Sequence, residues 1–325
     1  MGAPSSKTLH FAQLEACFAL PSSRSGGKRA AALVLALALL LACGTTNSTT
    51  PAAAHSQPAG QIVNVTAASA PWPPPLALRH RTVAGRAVDF FVPVTPPTAV
   101  VVVLHGLDLN AGLTEQQVQL QALAAQHRWL LVFPNGQARS WNAGLCCGAA
   151  AHQHVDDVHI LDMLLSTIRA DYLPTGSRAP VVLAGFSNGA MLAAEYACKR
   201  PRVVQAIALI AGNLQDPSCR SLTTNLLMIR GDLDLTVPRV GTAYSHFLGT
   251  ELLPDEATLT AAMHGARWQS RTSRTAGVTT TLLMSGCRQL TVVVGSRLAH
   301  SWPNPATGGI PSATQLLTSL ILKGR

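Results

Sequence analysis

The chain lacks the features by which proteins bind nucleic acids or nucleotides. Its 325 residues carry a net charge of +9, but the basic residues are mostly scattered arginines. There is no block of lysines or arginines and no basic stripe interleaved with aromatic residues. A Walker motif and a glycine loop of the dinucleotide-binding type are also missing. We therefore predict neither a nucleic-acid partner nor a nucleotide cofactor.

Residues that ligate metals do not occur at ligand spacing. The adjacent acids Asp156 and Asp157 have no histidine or glutamate partner at a suitable distance along the chain. A pair of acids at the start of a helix, where negative charge is favourable, explains them. The sequence thus predicts no metal and no other cofactor.

No apolar run is long enough to cross a bilayer as a helix. The run at residues 30–42 has thirteen residues, follows Lys28-Arg29 and is followed directly by Cys43. This pattern is typical of a secretory signal with a lipobox-like end, so we interpret residues 1–43 as a leader. Cys43 would be the lipidated first residue of the mature chain, unless the segment is an ordinary signal peptide. The chain is predicted to be exported, and either lipid-anchored to the bacterial cell envelope or secreted.

Composition divides the rest of the chain into two parts. Residues 44–77 are rich in Thr, Ser, Ala and Pro and cannot bury enough apolar surface to fold, which predicts a disordered tether. Residues 78–325 form the predicted catalytic domain. Its five cysteines can form disulfides in an exported protein, but the sequence leaves their pairing open: Cys146, Cys147, Cys198, Cys219 and Cys287.

Strand-like and helix-like segments alternate along this domain. After an opening hairpin at residues 81–92, short apolar segments predict strands at 100–104, 129–133, 179–184, 204–211, 226–230 and 290–295. Amphipathic segments predict helices at 114–127, 157–172 and 311–322, the first with Thr114 as its N-cap. Such alternation implies a mostly parallel sheet covered by helices on both faces. Between residues 240 and 288 we expect a helix at 254–266 and then a Ser/Thr/Arg-rich loop.

The segment Gly185-Phe186-Ser187-Asn188-Gly189 joins a predicted strand to a predicted helix. A serine flanked by glycines at that junction is the nucleophile elbow of an α/β-hydrolase. The serine must sit on a strained turn for its Oγ to project from the sheet, and side chains at Gly185 or Gly189 would crowd that turn. We therefore predict Ser187 as the nucleophile.

A serine nucleophile needs a base and an acid that follow it in this fold's chain order. His300 comes just after the last predicted strand, whereas His246 and His264 lie in segments of helical character, so we predict His300 as the base. The acid should follow the penultimate strand, where Asp232 and Asp234 both qualify. We prefer Asp234, and interpret Asp232 as a turn residue.

The oxyanion hole requires two backbone N–H groups. We predict those of Asn188, directly after the nucleophile, and of Leu107, in the turn after His105-Gly106. His105 precedes the serine and ends a strand, so a structural hydrogen bond explains it better than catalysis.

Taken together, these motifs identify a resemblance. The loop Trp141–Gly148 matches W-N-x-G-x-C-C-G, and Val155–Val158 matches V-D-D-V. Gly231–Pro238 matches G-x-x-D-x-x-V-P, and His300–Pro303 matches the end of G-H-x-W-P. Over about residues 80–322 the chain resembles the poly(3-hydroxybutyrate) depolymerase-like and feruloyl esterase-like family of exported α/β-hydrolases.

The resemblance supports Asp234 as the acid. The chain departs from the family at three positions, one of them near Arg274, where a cysteine often found in the family is absent. Arg230 stands where the family usually has histidine, and Ala299 where it usually has glycine. Both departures concern the surroundings of the site rather than the three triad residues.

The resulting functional prediction is an exported serine hydrolase that cleaves an aryl or short acyl carboxylic ester through an acyl-enzyme. A depolymerase of polyhydroxybutyrate or other polyester oligomers is the enzymatic alternative. A non-catalytic hydrolase-fold binding protein is the alternative of another class, and it would normally have lost a triad member. Trp141 and Trp302 are predicted to border the substrate pocket, because each lies near a segment that leads to the site. The sequence predicts no oligomeric state.

Overall fold

The structure is a computed structural model that describes residues 75–304 and 311–323. The predicted leader, Cys43 and residues 44–74 of the predicted tether lie outside the described residues. Within the described ranges, no helix combines the length and the apolar character that crossing a membrane requires.

Ten of the twelve described strands form one sheet, in the order β1-β2-β4-β3-β5-β6-β7-β12-β11-β10. The strands are β1 Ala77–Val83, β2 Arg86–Val92, β3 Ala99–Leu104, β4 Trp129–Pro134, β5 Val181–Phe186, β6 Ala206–Ile210, β7 Asn225–Gly231, β8 Thr242–Ser245, β9 Thr250–Leu252, β10 Gln269–Thr275, β11 Val278–Ser285 and β12 Arg288–Gly295. From β4 to β12 the neighbouring strands pair in parallel, and the strands outside this block pair antiparallel. The short strands β8 and β9 form a separate hairpin.

Helices cover both faces of this sheet. They are α1 Ala111–Val118, α2 Gln121–His127, α3 Gly148–His152, α4 Asp157–Asp171, α5 Asn188–Lys199, α6 Asp255–Met263 and α7 Ala313–Lys323. Alternate residues of β3 point to opposite faces: Val100 and Val102 pack in the cluster that contains α4 and α5, while Val101 and Val103 pack with α1, α2 and α7. The prediction of a mostly parallel sheet covered on both faces is confirmed.

The predicted helix at 114–127 is two helices, so this prediction is corrected. Asn110, and not Thr114, caps the first helix, because its side chain accepts a hydrogen bond from the Leu113 N–H. Gln119 adopts a left-handed conformation with φ 50° and ends α1. Thr114 is instead buried within α1.

The predicted loop before residue 288 is also corrected. Residues 269–285 form the hairpin β10–β11, which continues the sheet beyond β12. Every residue of β10 is exposed, so this strand has no apolar alternation to reveal it in the sequence. His246 likewise lies in the turn of the β8–β9 hairpin rather than in a helix.

Two disulfides join cysteines whose pairing the sequence left open. Cys146 is bonded to the adjacent Cys147 in the loop before α3. Cys198, near the end of α5, is bonded to Cys219 in the connection between β6 and β7. The second bond ties the helix that follows the elbow to a loop beyond the neighbouring strand.

Candidate active site

Ser187 occupies a sharp turn between β5 and α5. Its φ of 53° and ψ of −120° are unusual for a residue with a side chain and cost about 1–3 kcal/mol. The surrounding backbone compensates, because the Ser187 N–H donates to Ile210 O at 2.9 Å and the Ser187 carbonyl accepts from the Ala190 and Met191 N–H groups. The turn is therefore held by the neighbouring strand and by the first turn of the helix.

Glycines allow the elbow to lie this close to its neighbours. A Cβ at Gly185 would overlap the backbone of Gly189, and a Cβ at Gly189 would overlap the Leu104 carbonyl. On the other side, a Cβ at Gly212 would lie 2.6 Å from Ser187 O. The crowding that the sequence predicted at Gly185 and Gly189 is present, and it involves backbone atoms that cannot move aside.

The three predicted triad residues meet at the carboxyl ends of the parallel strands. His300 Nε2 lies 2.9 Å from Ser187 Oγ. On the other side of the ring, His300 Nδ1 lies 2.9 Å from Asp234 Oδ2 and 3.0 Å from Oδ1. The imidazole can thus take the serine proton at Nε2 while Nδ1–H donates to the carboxylate.

The structure distinguishes the two candidate acids. The residue Asp234 is 3% exposed and accepts the Thr236 and Val237 N–H groups at Oδ1, at 3.1 and 2.9 Å. Asp232 is an exposed turn residue whose side chain pairs with Arg239. Only Asp234 contacts His300, as the motif comparison led us to expect.

Backbone hydrogen bonds join the loop that contains Asp234 (residues 232–238, the acid loop) to the segment that leads from β12 to His300 (residues 295–300, the base loop). The Leu233 N–H donates to Leu298 O at 3.0 Å, and the Asp232 N–H donates to Gly295 O at 3.0 Å. Gly231 permits this contact, because a Cβ there would overlap the Leu298 carbonyl. The separation between Asp234 and His300 is therefore set by main-chain bonds.

The two predicted oxyanion donors lie on turns that meet the elbow. Asn188 begins α5, so its N–H belongs to the first turn of a helix, where amides have no intrahelical acceptor. Its side chain fixes the turn, since Oδ1 accepts from Trp141 N at 2.7 Å and Nδ2 donates to Trp141 O at 3.0 Å. Leu107 follows Gly106, which packs closely on the residue before Ser187: a Cβ at Gly106 would lie 2.8 Å from the ring of Phe186. Among the described residues, neither the Asn188 nor the Leu107 N–H donates a hydrogen bond.

His105 has the structural role expected from its position. Its Nδ1 contacts Gly106 O at 2.8 Å and its Nε2 accepts the Gly136 N–H at 2.9 Å, which requires the neutral ring with the proton on Nδ1. Burial lowers the pKa of His105 to about 4. Its imidazole contacts neither Ser187 nor Asp234, so it holds the turn that carries Leu107.

Both tryptophans predicted to border the pocket lie in packed surroundings. Trp141 is 1% exposed, packs on His105 with ring centroids 4.7 Å apart, and donates from Nε1 to His105 O. Trp302 is 2% exposed and donates to Thr314 of α7. That either ring borders the substrate pocket stays a prediction.

The acid pair at the start of α4 has two separate roles. Asp156 caps the helix by accepting the His159 N–H at 2.9 Å, as the sequence led us to expect. Asp157 is buried and accepts the Asn142 N–H at 2.7 Å, which ties α4 to the loop that holds Asn188. Burial raises the pKa of Asp157 to about 6.

Sequence reasoning missed a buried ionic cluster behind Asp234. Arg230 is fully buried and pairs through Nε with Asp255, at the start of α6, at 2.9 Å. Arg239 also reaches Asp255, at 3.3 Å. The departure at position 230 from the family's usual histidine was the available signal, but only the fold shows which carboxylates surround the guanidinium.

Comparison with known proteins agrees with this architecture. A family model described as serine aminopeptidase S33 matches residues 95–247, a range that includes Ser187 and Asp234 and ends before His300. The acetyl xylan esterase from Aspergillus awamori is 12% identical and superposes with a TM-score of 0.52, covering 71% of this chain and 96% of that chain. This chain has the α/β-hydrolase fold.

Two other solved structures superpose with lower TM-scores. Esterase PE8 is 16% identical with a TM-score of 0.49, covering 77% of this chain and all of that chain. A phospholipase/carboxylesterase from Dyadobacter fermentans is 16% identical with a TM-score of 0.46, covering 75% of this chain and all of that chain. A search of curated proteins found no match. The resemblance to the depolymerase-like and feruloyl esterase-like family stays a prediction.

Proposed function

We propose that this α/β-hydrolase is a serine esterase that cleaves carboxylic esters through an acyl-enzyme. The observation that carries the proposal is the contact chain from Ser187 Oγ through both ring nitrogens of His300 to Asp234, with a distance of 2.9 Å at each step. A non-catalytic binding protein of this fold has no need to keep all three groups in contact, and strain at Ser187 would serve no purpose in it.

The geometry supports the following sequence of steps. His300 Nε2 takes the Ser187 proton as Oγ attacks the ester carbonyl, and Asp234 stabilises the resulting imidazolium. The oxyanion accepts from the N–H groups of Leu107 and Asn188. When the tetrahedral intermediate collapses, His300 gives its proton to the departing alcohol and the acyl group stays on Ser187. Water, activated by His300 in the same way, then releases the acid.

An apolar ester is the substrate class we propose. Two leucines flank the acid in the loop beside the site, and both are exposed: Leu233 at 55% and Leu235 at 87%. These leucines give the loop apolar surface, which suits an aryl or short acyl group better than a charged peptide terminus. The motif resemblance supports the same choice, with a polyester oligomer as the second candidate.

We also propose export, with a lipid on Cys43. The disulfides Cys146–Cys147 and Cys198–Cys219 support export, because structural disulfides persist in oxidising compartments. Expression with radiolabelled palmitate should label the wild type and not Cys43→Ser. A mature chain that begins at another residue and is free in the medium would refute the lipid anchor.

An active-site label and a substrate panel test the activity. A fluorophosphonate should label the wild type and not Ser187→Ala, whereas Ser301→Ala, a control serine next to His300, should label normally. The panel compares p-nitrophenyl esters of rising chain length, methyl ferulate, hydroxybutyrate oligomers and aminoacyl p-nitroanilides. Labelling of Ser187→Ala, or cleavage of the anilides alone, would contradict a serine esterase.

A further inference from the structure

Arg230 is a buried cation that contacts the back of the catalytic acid loop. It is the penultimate residue of β7, and its side chain has no exposed surface. The Nη2 group donates to the Val237 carbonyl at 2.6 Å, and Nε lies 2.9 Å from Asp255 Oδ1. Two of the three guanidinium nitrogens thus connect β7 to the acid loop and to α6.

The third nitrogen faces the acid itself. Nη1 lies 3.9 Å from Asp234 Oδ2, the oxygen that also lies 2.9 Å from His300 Nδ1. Within the described residues, Nη1 has no hydrogen-bond partner. A buried donor is costly when unpaired, so the position of Nη1 beside the triad calls for a role other than packing.

The charged groups around this arginine come from four segments. Asp232 and Asp234 lie in the acid loop, Arg239 follows that loop, Asp255 begins α6 and His300 lies after β12. Burial raises the pKa of Asp255, and the two arginines oppose that effect. Asp255 therefore compensates the charge of Arg230, which leaves Nη1 directed at Asp234.

We propose that Arg230 is a positioning residue for the catalytic acid. It fixes the acid loop through Val237 O and Asp255, and it places a cation 3.9 Å from Asp234 Oδ2, the oxygen that contacts His300 Nδ1. This inference rests on the proposed serine esterase mechanism. Its chemical content is electrostatic: a cation next to the carboxylate favours the charged form of Asp234 and disfavours the imidazolium.

Removing the guanidinium should therefore change both rate and pH dependence. For Arg230→Met we expect a kcat lower by about 10- to 100-fold and a KM within about twofold of the wild type, because the defect concerns proton transfer rather than binding. The acid limb of the kcat/KM profile should move to higher pH by about one unit, because His300 becomes more basic. Arg230→Lys keeps the charge and should keep the acid limb in place, with a smaller loss of kcat.

Two further variants separate this role from folding. Arg288→Met is the matched control, because Arg288 is a partly buried arginine that also donates to backbone carbonyls, those of Leu222 and Ala262, in a different part of the domain. It should lower Tm without moving the pH profile. If Arg230→Met does not fold, the double variant Arg230→Met/Asp255→Asn removes both charges of the Arg230–Asp255 pair. In this variant the acid limb of the kcat/KM profile should also move to higher pH.

A measurement independent of turnover completes the test. The proton between His300 Nδ1 and Asp234 should be visible as a downfield NMR resonance, and its titration should give a higher His300 pKa in the Arg230 variants. If no ester is hydrolysed by the wild type, the proposed function fails and this titration alone decides the role of Arg230. A folded Arg230→Met or double variant with the wild-type kcat, acid limb and titration would refute the proposal and leave Arg230 a structural residue.

Discussion

Exchanging the acid for its amide is the sharpest perturbation of this site. In Asp234→Asn, the side-chain oxygen should stay at the Oδ1 position, because it accepts the Thr236 and Val237 N–H groups there. The new NH2 group must then occupy the Oδ2 position, 2.9 Å from His300 Nδ1. An NH2 donor at that distance requires Nδ1 to accept, and the ring proton moves to Nε2.

The wrong tautomer removes the base. With a proton on Nε2, His300 cannot accept the Ser187 proton, although the atoms remain in place. The expected loss in kcat is about 10⁴-fold, equivalent to about 5.4 kcal/mol in the activation free energy. Ser187→Ala should be no better, since the triad acts as one unit.

The comparison with the neighbouring acid makes this prediction specific. Asp232 is 44% exposed in its side chain and pairs only with Arg239 in the described structure, a contact worth about 0–1 kcal/mol. Asp232→Asn should keep kcat within about twofold. Steady-state kinetics on p-nitrophenyl acetate, with circular dichroism to verify folding, measure both variants. A larger loss of kcat in Asp232→Asn than in Asp234→Asn would refute the reasoning.

Three further predictions follow from the packing around the site. Gly189→Ala should fail to fold or lose at least about 10 °C in Tm, because the Cβ would overlap the Leu104 carbonyl. Gly112→Ala in α1 is the control: its Cβ would meet only the Asn110 side chain, at 3.7 Å, so this variant should be neutral or slightly stabilising. Trp302→Ala should cost about 3–5 kcal/mol of stability and reduce turnover of methyl ferulate and p-nitrophenyl acetate alike; a KM increase confined to methyl ferulate would support the pocket role. His105 is neutral when folded with a pKa of about 4, so the stability it contributes is present above its unfolded pKa of about 6.5 and is lost as pH falls toward 4. Thermal melts should show a smaller loss of Tm over that interval in His105→Gln than in the wild type, and an equal loss would count against this assignment.

The central strands of the sheet could be predicted from the sequence, whereas the edge strand β10 could not. Buried parallel strands such as Ala99–Leu104 are continuous apolar runs, and the elbow glycines have a local steric signature, so both were predictable. The edge strand Gln269–Thr275 is exposed and polar, and it is stabilised by pairing with β11 rather than by burial of its side chains. Pairing partners are not visible in a single sequence, so this hairpin was taken for a loop.

The surroundings of three residues near the site depend on tertiary contacts that the sequence does not show. The positions of Trp141 and Trp302 depend on which layer lies beneath each loop, and chain proximity to the site does not contain that information. Arg230 is similar, because its partners Asp234 and Asp255 belong to different segments. Residues whose surroundings are set by long-range neighbours are thus the ones that sequence reasoning could not place.

The attachment of the elbow to the sheet has a consequence for how the protein should lose activity. Ser187 is hydrogen-bonded to β6 through Ile210, and α5 touches the end of β3 at Gly189, so the proposed nucleophile is anchored to the central strands. Amides of these strands should exchange with solvent only through global unfolding. Inactivation on heating should therefore coincide with the melting of the whole domain, whereas cleavage or extension at the exposed turn between β10 and β11 should leave the active site working.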